Sequence, residues 1–410
     1  MAPALDDAET ISLLDSIQVE AFSSDAGRYA AKEAARRLLA RLETPFERAW
    51  ELGFETPVLL SGLQVCQDLG IWAKWLEEET AHPGGPKTLE NLLAMATRPV
   101  EPNLLRRFVR HIAAVHILEE VGPDTWKSTP FSRAMGDPVS YLDQTVQCGM
   151  DHTVPCGMNL AKFLPKYDYK EPLDIAEFDN YRDMSGDDFF TYCQKHTGAG
   201  GSFIGLMAAL RNHKMDWTQV YDTTRLTEGA NLQDDSNKGN PAPLLVDVGG
   251  AHGLDSARFL AKHPELPAGA VVLQDLPDVI EKHIRQELDE RITRMPYDFF
   301  TPQPVRGARA YFFHAVPHDW PDADCVRIFE NVKAAMTKGY SKLIIYEIVL
   351  PAQGASSMMT TMDLQLMACT SGLERTEEHW RKLLGGMGFQ VVSISRHPRA
   401  LESVIEAELV

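Results

Sequence analysis

The sequence predicts an α/β protein: a seven-stranded, mostly parallel sheet in the carboxy-terminal half, behind a mainly helical region that ends in a winged helix. Three observations lead there. From Leu244 onward the short apolar runs LLVDVGG, AVVLQDL, ARAYFF and KLIIYEIVL recur at spacings that leave room for crossover helices, the alternation of a doubly wound, Rossmann-like sheet. Two more runs, GFQVVSIS and LESVIEAEL, follow without a clear helix between them, so one antiparallel strand is expected. Upstream, successive helical segments give way to a short hairpin with its turn at GPDT, the order of elements in a winged helix.

The elements follow in order. Residues 10–55 read as helical, led by the charge-mixed AAKEAARRLLARLE, and from Pro57 apolar residues recur at helical spacing up to about Trp72. After the break HPGGP, Thr88 is placed to cap TLENLLAMA. EPNLLRRFVRHIAAVHIL is the next helix, and EEVGPDTWKSTPFSRAM carries the hairpin. Residues 140–220 are mixed helical pieces broken by PCG, LPK, KEP and GAGG, and Thr227 to Pro243 is a polar surface loop. The division expected is 1–180 for the helical region with its winged helix and 181–410 for the ligand-binding domain.

The 410 residues, 44% of them hydrophobic, suffice for two domains. No run approaches a membrane span, and the acidic start MAPALDDAETISLL lacks the basic end of a secretory signal, so a cytoplasmic protein is expected. Six cysteines without a CxxC pair give neither a disulfide framework nor a zinc site, and no metal is expected. A net charge of −18 repels a phosphate backbone, which makes nucleic acid a poor partner. Arg106, Arg107 and Arg110 on the winged helix then read as a solvated face.

The chemistry concentrates in two places. In LLVDVGGAHGLDSARFLAKHP an apolar strand ends at Asp247, and Gly249, Gly250 and Gly253 form a turn that opens a helix. Such a turn admits a ligand to the backbone. Asp275, at the end of the next strand and followed by Leu276, can accept ribose hydroxyls. The glycines do not follow the GxGxxG of a dinucleotide site, and Asp247 would disfavour a pyrophosphate but suit a cationic amino-acid end. S-adenosylmethionine, with its ammonium and sulfonium, fits those electrostatics.

The second place is HAVPHDWPD, beyond the strand ARAYFF. His314 and His318 stand there, with Asp319 next to the latter. A neutral imidazole at position 318 could take a proton from an attacking hydroxyl. Glu347 ends the strand LIIYEIVLP and Glu374 sits in SGLERTEEHW; a carboxylate beside a histidine fixes its tautomer and steadies its charged form. Asp319 and His152, in GMDHTVP, are candidates on the substrate side.

Taken together, VDVGG, LQDLPDVI, HDWPD, YEIVLP and SGLERTEEHW resemble, in order and spacing, the class I S-adenosylmethionine-dependent O-methyltransferases of the plant caffeate type and their fungal natural-product relatives. The resemblance covers nearly the whole chain. It implies cofactor contacts at Gly249 and Asp275, an adenine-flanking pair at Asp298 and Phe299, and a base at His318 held by Glu347 and Glu374. It implies that Phe203 and Met207 pack near donor and substrate, and that the chain is a homodimer acting on a small molecule. His314 stands where the family is often basic, and Ala251 where it usually has glycine. Some fungal relatives look like pericyclases or dehydratases that keep the cofactor without methyl transfer, which is the alternative reading.

Overall fold

The computed structural model describes residues 6–171, 174, 176–231, 242–283 and 288–410; most of the expected loop after Thr227, from 232 to 241, lies outside them.

The amino-terminal part is helical, as the sequence predicts. Helix Asp7–Asp15 opens on a capping box made by Asp6 and Glu9, and helix Asp25–Leu42 buries none of its residues within the chain. The winged-helix order is present. Thr88 caps helix Leu89–Met95 by accepting from the Asn91 N–H, and helix Pro102–Ala114 buries Leu105, Val109 and Ile112 at helical spacing against Trp72, Trp75 and Trp126. Strands β1 (Lys87–Thr88), β2 (Leu118–Gly122) and β3 (Thr125–Ser128) form a small antiparallel sheet, with Pro123 and Asp124 in the turn. The arginines on this helix are less free than the sequence suggests: Arg106 and Arg110 both pair with Asp124 across the hairpin turn, at 2.9 and 3.2 Å.

The larger sheet contains β4 (Leu245–Val248), β5 (Val271–Asp275), β6 (Ile292–Pro296), β7 (Ala310–His314), β8 (Lys342–Glu347), β11 (Phe389–Ser395) and β12 (Ser403–Leu409). Two short strands, β9 (Val349–Leu350) and β10 (Arg375–Thr376), form a separate parallel pair. The large sheet runs in the order β11-β12-β8-β7-β4-β5-β6, and β12 is antiparallel to both its neighbours. The sequence named six of these seven strands. It missed β6, an edge strand whose Thr293 and Arg294 are exposed and which lacks the apolar run of its neighbours.

Alternation along the central strands fills both faces. Val246, Tyr311, Phe313 and Ile345 pack against helices Asp322–Lys333 and Glu377–Gly386, whereas Leu245, Phe312, Ile344 and Val404 pack against helix Leu254–Lys262 and Trp217. Each such side chain, fully removed from water, contributes roughly 1.5–3 kcal/mol before entropy is counted. The result is a rigid platform whose carboxyl strand ends, at Val248, Asp275, His314 and Glu347, lie along one edge. Among the described residues, no helix is long and apolar enough to cross a membrane.

Candidate active site

At the end of β7 the chain enters a tight turn, Pro317–Asp319, which holds His318. The His318 backbone N–H donates to Oε1 of Glu347 at 2.9 Å, and its ring Nδ1–H donates to Oε1 of Glu374 at 3.0 Å. A carboxylate only accepts, so this contact puts the proton on Nδ1 and leaves Nε2 as the reactive nitrogen. Asp319 Oδ1 lies 3.9 Å from Nε2. The three residues the sequence singled out as base and acids therefore come together.

Their meeting has a local cause. Glu347 ends β8 and Glu374 precedes β10, and the parallel pairing of Val349 with Arg375 draws the two segments side by side. Gly372 permits the closest approach: a Cβ there would stand 2.2 Å from the His318 carbonyl oxygen. That carbonyl accepts the Leu373 N–H at 2.9 Å.

Arg375, which the sequence reading passed over, clamps the same turn. Its fully buried guanidinium donates to the carbonyls of Pro317 and Trp320 at 3.0 and 2.8 Å and to Asp322 at 2.9 Å. Its only signal was position, immediately after Glu374 in LERTEEHW.

The electrostatics follow from burial and partners. Burial alone would depress the His318 pKa, but Asp319, Glu374 and Glu347 around it push it up to about 9. Burial raises Glu347 to about 7 against the pull of His318, and raises Asp319 from the usual carboxylate range. In the free protein the ring is thus held as an imidazolium near neutral pH. Glu374 Oε2 is buried with no hydrogen-bond partner.

The glycine turn lies at the neighbouring strand ends. Gly249 has φ +73°, and a Cβ there would come within 2.8 Å of Val316 and 3.8 Å of the Phe299 ring. A Cβ on Gly250 would fall 2.5 Å from both the Asp247 carboxylate carbon and Leu273. Asp247 braces the turn from below: Ser256 Oγ donates to its Oδ2 at 2.7 Å, Oδ1 has no hydrogen bond, and burial pushes its pKa up to about 7. Asp275 accepts the Ala251 N–H at 2.9 Å and the Leu276 N–H at 2.7 Å, which fixes its carboxylate over the turn, while the Leu276 side chain is half exposed. Asp298 caps its own turn through the Phe300 N–H, and Phe299 meets the Phe300 and Trp320 rings edge-on. Ala251 sits at φ +47°, a conformation that suits glycine.

Other candidates lie apart from this cluster. His314 turns to the opposite face of the sheet and bonds Asp255 at 2.6 Å. His152 is buried among Tyr181, Phe189 and Tyr192; its Nε2–H donates to the Ala199 carbonyl and its Nδ1 faces the Tyr181 hydroxyl at 2.6 Å, so both nitrogens are engaged. Phe203 packs edge-on to Phe189 at 4.9 Å, and Met207, one turn further along helix Thr197–His213, is 42% exposed. A groove of about 600 Å³ runs between helices Asp322–Lys333 and Glu377–Gly386 and is lined by Asp322, His379 and Lys382. It is not lined by His318 or the glycine turn.

Comparison with known proteins adds an independent line. Residues 207–390 match a family model described as an O-methyltransferase domain. The chain is 38% identical over 404 residues to O-methyltransferase ATR12 of Stachybotrys chlorohalonatus (strain IBT 40285), covering 98% of each chain. In fold it is similar to LepI solved in complex with SAM, with a TM-score of 0.83 at 24% identity over 99% of this chain and 100% of that one. A structure described as a pericyclic reaction enzyme superposes with the same TM-score of 0.83 and identity of 24%, over 98% of this chain and 100% of the other. At that identity the two structural likenesses establish the architecture alone.

Proposed function

The chain belongs to the O-methyltransferase family, and from that premise we propose that it methylates a hydroxyl of a small secondary metabolite, phenolic or polyketide-like, with His318 as general base. S-adenosylmethionine, when bound, supplies a methyl group made electrophilic by its sulfonium.

The glycine turn suits that group. Gly249 and Gly250 let the turn pack where a side chain would collide with Val316, Asp247 and Leu273, the Asp275 carboxylate, anchored by the Ala251 and Leu276 N–H groups, would accept ribose hydroxyls, and Oδ1 of Asp247 is a buried acceptor without a hydrogen bond. Gly249, Gly250, Asp247, Asp275 and Leu276 would hold the cofactor, with Asp298 and Phe299 beside the adenine. Phe203, Met207 and Asp319 would meet the acceptor; His152 would shape the wall behind them rather than touch it, since its ring is spoken for.

The observation that carries the reading is the pair of ties on His318, to Glu347 through the backbone and to Glu374 through Nδ1. They leave Nε2 as the group that can remove a hydroxyl proton, and Glu374 steadies the imidazolium that results. A cation bound nearby lowers the pKa of His318 and favours the neutral ring that a base requires. Positioning of the oxygen for in-line attack supplies much of the remaining acceleration.

Homodimerisation through the amino-terminal helices completes the reading. Ile11, Leu14, Phe46, Trp50 and Phe54 are more than two-fifths exposed along helices that find little to bury within the chain, a pattern expected of a protein interface. The helical region would end and the cofactor-binding domain begin at about residue 180, and a cytoplasmic setting accords with six free thiols.

One observation favours a second reading. An imidazolium ringed by carboxylates is also an acid, and acid catalysis of a dehydration or pericyclic step would use the same residue without methyl transfer. The mass of the product separates the two. Methyl transfer replaces the hydroxyl proton, so the acceptor gains the mass of one CH2 and S-adenosylhomocysteine forms in equal amount; an isomer, or a product short of one water, with no S-adenosylhomocysteine would contradict it.

A further inference from the structure

Four charged residues from distant stretches meet on the face of the sheet away from Glu347. Asp255 stands in the first turn of the helix that closes the glycine turn. His314 ends β7, four residues before His318. Glu402 immediately precedes β12, with a side chain 2% exposed. Lys214 follows helix Thr197–His213, which carries Phe203 and Met207.

They alternate in sign. His314 Nδ1–H donates to Asp255 Oδ2 at 2.6 Å, His314 Nε2 lies 3.5 Å from Glu402 Oε1, and Lys214 Nζ donates to that same oxygen at 2.5 Å. Arg258 flanks Asp255 at 3.7 Å and reaches Asp216 at 3.5 Å. The Tyr346 ring covers the imidazole at a centroid distance of 4.6 Å, and Asp247 is the acid on the neighbouring strand.

A buried ion network is a poor way to stabilise a fold, because apolar residues of similar volume often serve as well or better. This one also leaves Asp247 Oδ1, Asp255 Oδ1, His314 Nε2 and Glu402 Oε2 buried without hydrogen bonds. What it does achieve is mechanical. It ties the helix under the glycine turn, the strand that leads to His318, and the helix bearing Phe203 and Met207 to a single carboxylate.

We propose that Glu402 is a positioning residue for the cofactor end of the site, acting through His314 and Lys214; the inference rests on the methyltransferase reading above. It assigns His314, the expected basic cofactor contact, to an indirect role, because Nδ1 is bonded to Asp255 and Nε2, which makes no hydrogen bond, faces Glu402 at 3.5 Å. Against the cost of burial those two acids push His314 up to about 10, and Lys214 with His314 brings Glu402 down to about 2. His314 and Glu402 are both charged at neutral pH. Without Glu402 the imidazole loses one of its two counter-charges and moves back toward its ordinary range.

The test is calorimetric binding of S-adenosylhomocysteine to the full chain at about pH 6 and about pH 8.5. Glu402→Gln should bind within about threefold of the unaltered protein at the lower pH and about tenfold more weakly at the higher. His314→Gln should remove that added pH dependence, so the double variant falls short of additivity. If Glu402→Gln does not fold, Lys214→Met tests the same tie and should weaken binding by about threefold with no change in pH dependence. Wild-type affinity in Glu402→Gln at both pH values, or an equal loss at both, overturns the positioning role. Failure of the unaltered protein to bind S-adenosylhomocysteine at all overturns instead the cofactor reading on which the inference stands.

Discussion

Nδ1 of His318 lies 3.0 Å from Oε1 of Glu374, a carboxylate whose other oxygen is buried without a hydrogen bond. The acid is therefore committed to the imidazole, and its charge rather than its volume is what the ring feels. Glu374→Gln keeps the shape and removes the charge. It should lower kcat by about a hundredfold, within the range of tautomer-fixing acids, and leave S-adenosylhomocysteine affinity within about twofold. Steady-state kinetics beside calorimetry would show this; a parallel loss of cofactor binding would contradict it.

The surrounding acids hold His318 up to about 9 in the free protein, and a base must be neutral. kcat/KM should therefore rise with pH between about 6 and 9, with saturating cofactor moving the profile to lower pH. The same shift appears in stability. Because the folded value lies above the ordinary one of about 6.5, the ion pairs stabilise the fold fully below that pH and the benefit is lost as pH rises through about 9. The difference in thermal midpoint between the unaltered protein and His318→Gln should narrow over that window. A difference that widens with pH would be inconsistent with the charged ring.

Ala251 holds φ +47° in the glycine turn, where an L side chain costs about 1 kcal/mol relative to glycine. Ala251→Gly should tighten S-adenosylhomocysteine binding or raise stability by about that amount, the flexibility gained by the unfolded chain offsetting part of it. Gly249→Ala should do the reverse, and more strongly, because its Cβ would press on Val316 at 2.8 Å in a left-handed conformation. Affinity loss of at least tenfold is expected; wild-type affinity in that variant would mean the turn does not approach the ligand.

Arg375 spans three acceptors along the turn that carries His318. Lysine keeps the charge but cannot bridge them. Arg375→Lys should reduce kcat at least tenfold with a modest fall in thermal midpoint, whereas Arg375→Ala, which takes the guanidinium donors from the Pro317 and Trp320 carbonyls while Asp322 keeps His379, should cost about 1–3 kcal/mol of stability. Unchanged turnover in the lysine variant would show that the turn is held by other means.

Much of this was legible in the sequence because the decisive features are local. An apolar run ending in Asp247, three glycines within five residues and an acid at the next strand end mark out a ligand turn without any tertiary knowledge, and HDWPD announces itself by falling just past a buried strand. What stayed hidden depends on partners far along the chain. Strand β6 is an edge strand with an exposed polar face and gives little hydrophobic signal. Arg375, next to a helix start, looks like a surface residue until the turn at Pro317–Trp320 closes on it. Glu402 reads as one more acid in LESVIEAEL, and its role needs Lys214 and His314, 188 and 88 residues earlier, to be brought beside it. His152 illustrates the converse: the sequence offers it as a substrate-side candidate, and both its ring nitrogens are engaged by internal partners.

The central claim is that Nε2 of His318 removes the proton from the acceptor hydroxyl. Turnover by His318→Ala, measured on an acceptor identified with the unaltered protein and alongside its affinity for S-adenosylhomocysteine, tests it most directly. Methylation should fall by at least a thousandfold with cofactor affinity preserved within about threefold. Methylation at near wild-type rate in that variant would contradict it.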